Sequence, residues 1–318
     1  MKNFVSIFAL IALFSCTNEP ANNGQVTPPI VASTFSSLTN LIDELKVDPQ
    51  RFSITDPTVA SSITGEEGTI IRFGANSFKA PDGTTITSEV QVDLNEYLSL
   101  SNMLKNNIQT LSNGQLLVTG GSFELSATSP NNPVLTVEPW SVSAEIPVQT
   151  NLTGFENQMR LFTGERVVLD GREQVNWNFT QNSESWFNEG VMNFSGIDLG
   201  LSNCDALLQL AGENPTQFSV YFEGVTDPST YAVWMFINDF PSVIGITSPT
   251  TDGAGVKTYN NSIPMGLNAT LVVLGVDEDS YLKFGTLDIN VQGDDVFTVP
   301  LDYGTTEMLT QVIIALGS

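Results

Sequence analysis

The sequence predicts a mainly β protein, with two β-sandwich-like domains set behind an N-terminal leader, a flexible tether and one short helix. Three observations carry this expectation. From Phe52 onward, short runs rich in Val, Ile, Phe and Tyr alternate with polar residues and are punctuated by Gly, Pro, Asn and Asp. The stretch 65–94, GEEGTIIRFGANSFKAPDGTTITSEVQVDL, joins strand, turn and strand signals without a gap: Ile70, Ile71 and Phe73, then Pro81-Asp82-Gly83, then alternating Ile86, Val90, Val92 and Leu94. It reads as a half-buried sheet edge folding back on itself. Residues 190–318 repeat the pattern with enough short strands for a second sandwich.

Taken in order, residues 1–15 hold one cation, Lys2, and the apolar run from Phe4 to Phe14, the pattern of an export signal too short to remain as a membrane span. Residues 16–34 are rich in Asn, Pro and Thr with little to bury, so they form a solvated tether. Within 35–51, Phe35, Leu38, Leu41, Ile42 and Leu45 fall at helical spacing, with Ser36 or Ser37 as cap and Asp48-Pro49 as stop. The apolar stripe of this helix is expected to dock on the first domain. The two sandwiches take residues 52–180 and 181–318, with a short helix or crossover from Glu96 to Ile108 in the first. The segment from Glu165 to about Phe187 reads as the passage between domains, and Gln311 to Leu316 as a last strand.

Composition excludes several function classes. The 318 residues carry 35 acidic against 11 basic side chains, a formal charge of -24, so the surface field repels nucleic-acid backbones and no nucleic-acid partner is expected. There is no histidine, which removes His-dependent triads, His-ligated zinc and imidazole proton shuttles. Of the two cysteines, Cys16 closes the leader, and Cys204, with no cationic neighbour in sequence, is expected to pack as a small hydrophobe.

Leu13-Phe14-Ser15-Cys16 resembles the lipobox of bacterial lipoproteins, with Phe14 in place of the usual small residue. That resemblance implies cleavage before Cys16 and acyl chains, palmitate among them, on its sulfur; two or three chains suffice for stable anchoring. Thr17 stands where inner-membrane retention typically shows Asp, which implies the outer membrane, on either its periplasmic or its external face. Further on, Gly65, Gly68, Thr69, Ile71, Phe73, Asn76, Ser77, Phe78, Asp82 and Gly83, then Asn113, Gly114, Thr119, Gly120 and Gly121, form a run that resembles a β domain of uncharacterised Gram-negative lipoproteins. More remotely the run is similar to the zonula-occludens and ankyrin type β domain. The resemblance covers about residues 52–165; it implies a fold and an address, and brings no catalytic residue.

Candidate chemistry is sparse. Asp277-Glu278-Asp279 and Asp294-Asp295 offer hard oxygens for calcium, but neither matches a spaced cation-wrapping loop, and both are read as solvated turns. The Gly-rich run from Gly114 to Gly121 lacks the GK[ST] of a phosphate loop and is read as a hairpin turn. Trp140, Trp177, Trp186 and Trp234, with Tyr221 and Tyr231, are candidates for a sugar-stacking platform or for the core. Five Asn-x-Ser/Thr triplets, at Asn151, Asn178, Asn193, Asn260 and Asn268, are composition. The expectation is a lipid-anchored outer-membrane protein with a structural or binding role, taking an envelope protein or a glycan, with no enzymatic activity, cofactor or metal. A carbohydrate-binding module using Trp177 or Trp186 is the alternative, and a His-independent glycoside hydrolase a further one.

Overall fold

The computed structural model describes residues 31–148, 152–169, 172–208 and 215–317; the leader, Cys16 and most of the tether lie outside them. The protein is mainly β, built as sandwich-like layers of antiparallel sheets. The N-terminal strands are β1 (Gln50–Ile54), β2 (Ser61–Thr64), β3 (Ile70–Phe73), β4 (Val90–Tyr97), β5 (Gln115–Thr128) and β6 (Val142–Pro147). They are followed by β7 (Arg160–Leu169), β8 (Arg172–Phe179), β9 (Glu184–Asn188), β10 (Val191–Ser195) and β11 (Gly200–Leu207). The C-terminal strands are β12 (Phe218–Phe222), β13 (Tyr231–Ile237), β14 (Ser242–Ile246), β15 (Gly255–Lys257), β16 (Asn268–Val276), β17 (Leu282–Asn290) and β18 (Asp295–Val299). The α-helices among the described residues are α1 (Leu38–Leu45), α2 (Leu100–Lys105) and α3 (Thr306–Gly317).

One sheet runs β1-β4-β5-β11-β7-β8, and the strand Leu111–Ser112 folds back on the start of β5. A second sheet, β9-β10-β6-β3-β2, lies against it, and alternate residues of both fill the first core, among them Phe73, Val92, Phe123, Ile146, Phe194 and Cys204. In the C-terminal half, β14-β13-β16-β17 faces a smaller sheet in which β12 lies between β15 and β18, with β12 and β18 parallel. Phe218, Val220, Val233, Met235, Leu271 and Val273 fill the core between them.

A third core joins the halves. All seven residues of β13 are buried, because Val233, Met235 and Ile237 point into the C-terminal core while Ala232, Trp234 and Phe236 point the other way. There they share a cluster with Leu117, Phe162, Val175 and Trp177 of the first sheet, and with Leu41 of α1, Met103 of α2 and Ile313 of α3. Gly164 makes room for this arrangement: a Cβ there would stand 2.6 Å from the Trp177 ring and 2.7 Å from Leu201.

Several sequence-based expectations change in the structure. The stretch 65–94 folds back on itself only around the Pro81-Asp82-Gly83 turn, where the Ala80 N–H donates to the Thr84 carbonyl and the Ile86 N–H to the Phe78 carbonyl; its longer strands part, since β3 pairs with β2 and β6 in one sheet while β4 lies between β1 and β5 in the other. It crosses the sandwich, and β4 is interior because both its neighbours supply partners. The segment 165–187 is no linker but the β7–β8 hairpin and β9; half-exposed edge strands have polar residues on one face and so resemble loops. Of the strands in 184–207, β10 pairs with β6 and β11 with β5 and β7, while β9 pairs with β10 at the sheet edge. Helix α1 begins at its Ser37 cap as expected, yet it packs in the third core and against β16, and the preceding Ser33 and Phe35 bond to Leu282, Gly304 and Ser280. Residues 311–316 belong to α3, with Leu309, Ile313 and Gly317 buried at helical spacing.

Candidate functional site

Two large cavities lie where the halves meet, back to back across a wall of two buried glutamines. Gln109 follows α2 and Gln174 lies on β8; Gln109 Nε2 donates to Gln174 Oε1 at 2.9 Å and to the Val175 carbonyl at 3.2 Å. The same pair reaches the C-terminal half, because Gln109 Oε1 accepts from the Gly245 N–H at 3.2 Å and Gln174 Nε2 donates to Thr247 Oγ1. Next along the chain, the Thr110 N–H donates to the Val243 carbonyl at 2.8 Å, and Thr110 Oγ1 accepts from the Val243 N–H and meets Ser242 Oγ at 2.7 Å. Buried amides and hydroxyls left without partners would cost free energy, so this bonding fixes the register of the two halves.

The first cavity, a charged cleft of about 760 Å³, opens between α1, the start of β8 and β13. Trp234, Ala232 and Val276 give it an apolar floor with Leu38 and Ile42 of α1. Its rim carries Arg172 and Lys46 against Asp43, Glu173, Asp277 and Glu278. Arg172 Nη2 reaches the Pro228 carbonyl at 3.3 Å and so braces one wall. The second cavity, about 710 Å³, is an amide groove on the other side of the glutamines, floored by Leu111 and Val167. The Asn113-Gly114 turn before β5 stands at its edge, with both residues in the left-handed region (φ 50° and 80°), as a two-residue hairpin requires.

The structure disperses the residues singled out from sequence. Cys16 and Asn151 lie outside the described residues. Asp277 Oδ1 accepts the N–H groups of Asp279 and Tyr281 at 3.0 and 2.9 Å, holding the β16–β17 turn, while Glu278 accepts from Thr226 Oγ1 at 2.6 Å. Asp295 Oδ2 accepts the Gln292 and Gly293 N–H groups, and Asp294 accepts from Thr216. The six aromatic candidates do not form a platform. Trp177 and Trp234 are buried in the third core and Tyr231 in the C-terminal one, whereas Trp140 and Trp186 are more than half exposed. Burial, helped by the nearby Asp277 charge, pushes the Tyr231 hydroxyl up to about 12.

Shifted carboxyls occur away from both cavities. Glu67 is held above its ordinary value by burial and by Glu96. Glu96 itself clamps the 65–69 loop, accepting from the Glu67 and Thr69 N–H groups at 2.8 Å and from Gln50 Nε2 at 2.9 Å. Asp205 and Cys204, wholly buried on β11, are both pushed well up by burial. Sequence reasoning missed both cavities, since the lining of the first comes from six separated segments and that of the second from four; the clustering of Asn and Gln at 106–115, 174–178 and 260–261 was the available signal. No protein-family model matches the chain, and no curated protein is similar to it. Among the described residues no helix is long and apolar enough to cross a membrane.

Proposed function

We propose that the chain is a lipid-anchored outer-membrane protein that works by binding, holding an envelope ligand at the junction of its two halves. The observation that carries the binding role is the pair of large cavities divided by the Gln109–Gln174 wall, one with an apolar floor and a charged rim, the other lined by amides. Concave sites of several hundred Å³ with a few convergent polar groups are where ligands are held. The anchor rests on the leader, on Cys16 and on the polar tether, which together give an acidic body attached by acyl chains.

Two measurements test this. Intact mass of the membrane-extracted protein should show a chain beginning at Cys16 with two or three acyl groups, and Cys16→Ala should move the protein to the soluble fraction. A photo-crosslinking phenylalanine analogue in place of Ile42, in the cleft, should give a discrete adduct in living cells that the same group in place of Trp186 does not. An unmodified Cys16 sulfur would end the anchoring proposal, and adducts indifferent to position would end the cleft proposal.

A further inference from the structure

The lining of the amide groove differs sharply from the rest of the molecule. In a chain with 35 acidic and 11 basic residues, none of the twelve residues lining this cavity is charged, and seven are Asn or Gln. We propose that the groove binds a neutral oligosaccharide. This inference names the ligand class of one of the two junction cavities and rests on the binding role proposed above.

The chemistry of the lining leads to this class. A carboxamide presents donors and an acceptor in one plane, which matches a sugar's vicinal hydroxyls, each both donor and acceptor. A groove meant for an anionic chain would hold Arg or Lys, and one for a cation would hold carboxylates; this one has neither. The inner amides are already fixed. Gln109 and Gln174 bond to each other, the Asn113 N–H donates to Asn176 Oδ1 at 2.9 Å, and Asn176 Nδ2 returns a bond to Asn113 Oδ1 at 3.3 Å. Side chains ordered before the ligand arrives cost less entropy on binding. At the mouth stand Asn260 and Asn261, exposed on the loop after β15. Beside them Tyr259 lies over Gly114, its ring 3.9 Å from where a Cβ would be, and presents an aromatic face to the apolar C–H side of a pyranose. The volume of about 710 Å³ holds more than one ring, so a chain rather than a single sugar fits.

The test is calorimetric titration of the detergent-solubilised full chain with four neutral hexasaccharides (maltohexaose, cellohexaose, mannohexaose and N-acetylchitohexaose) and with a hexa-galacturonate as the anionic control. At least one neutral hexamer should bind and the anionic one should not. Tyr259→Ala and Asn260→Asp should each weaken that binding about tenfold or more, while the distant Trp186→Ala leaves it unchanged. Silence with all four neutral chains, equal binding of the anionic chain, or loss of binding with Trp186→Ala but not with Tyr259→Ala would each overturn the proposal. If the hexamers are silent while the Ile42 position still yields its discrete adduct, the glycan inference fails and the binding role stands.

Discussion

Asp205 lies wholly buried on β11, with Asn203 Nδ2 donating to its Oδ2. Burial raises its carboxyl well above the ordinary value of 3.8, with the Thr119 hydroxyl pulling weakly the other way. The folded chain therefore keeps this proton to a higher pH than the unfolded chain does. Its contribution is fully present below 3.8 and is lost as pH rises toward the folded value. Asp205→Asn, which keeps the shape and removes the titration, should flatten the fall in urea-unfolding stability across that window; an unchanged profile would remove Asp205 as its source. The Asn-Cys-Asp triplet carried no such warning in sequence, because desolvation depends on what covers a residue. Cys204 beside it was easier to read, since a lone thiol with no cationic neighbour belongs in a core, and it packs in the first one.

Helix α3 shows how composition misleads at the scale of an element. Val312, Ile313 and Ile314 read as strand by β-branching, yet the chain is helical from Thr306 to Gly317, and Thr305 Oγ1 accepts the Met308 N–H in its first turn. The deciding pattern is the spacing of Leu309, Ile313 and Gly317, which share one buried helical face, the first two inside the third core and Gly317 against Ser101 of α2. Packing there outweighs a propensity difference of a few tenths of a kcal/mol per residue. Ile313→Ala should cost about 2–4 kcal/mol in denaturant unfolding and Ile314→Ala, 41% exposed, about 0.5 kcal/mol or less. Equal losses at the two positions would contradict the helical register. Helix α1 was legible because its stripe, its Ser37 cap and its polar flanks agree; where it docks was not, since an apolar stripe fits either sheet.

At the scale of the whole molecule, the third core and the Gln109–Thr110 bonding make the halves interdependent. Central strands of the facing sheets, β11 in one half and β13 and β16 in the other, are buried on both faces, so separating the halves would expose Phe162, Trp177, Trp234 and Phe236 together with the three helices. Exposing that much apolar surface at about 25 cal/mol per Å² is costlier than a separable pair of domains would tolerate. Scanning calorimetry should therefore give one cooperative transition whose calorimetric and van't Hoff enthalpies agree. Two resolved transitions, with the N-terminal sandwich melting apart from the other, would refute the coupling.

The sequence by itself determined the β class, the first helix with its cap, the core role of Cys204 and the absence of imidazole chemistry. These follow from local periodicity, turn residues and composition, which act within a few residues. Of the Gly114–Gly121 run read as a hairpin turn, only Gly114 lies in the turn, while Gly120 and Gly121 lie inside β5. Only the tertiary structure decided which sheet each strand joined, that residues 311–316 are helical, which tryptophans are buried, and that scattered asparagines and glutamines converge on one uncharged groove. Each of those depends on which distant segments come to lie against one another, and that is set by the burial of whole faces rather than by any stretch of the chain alone.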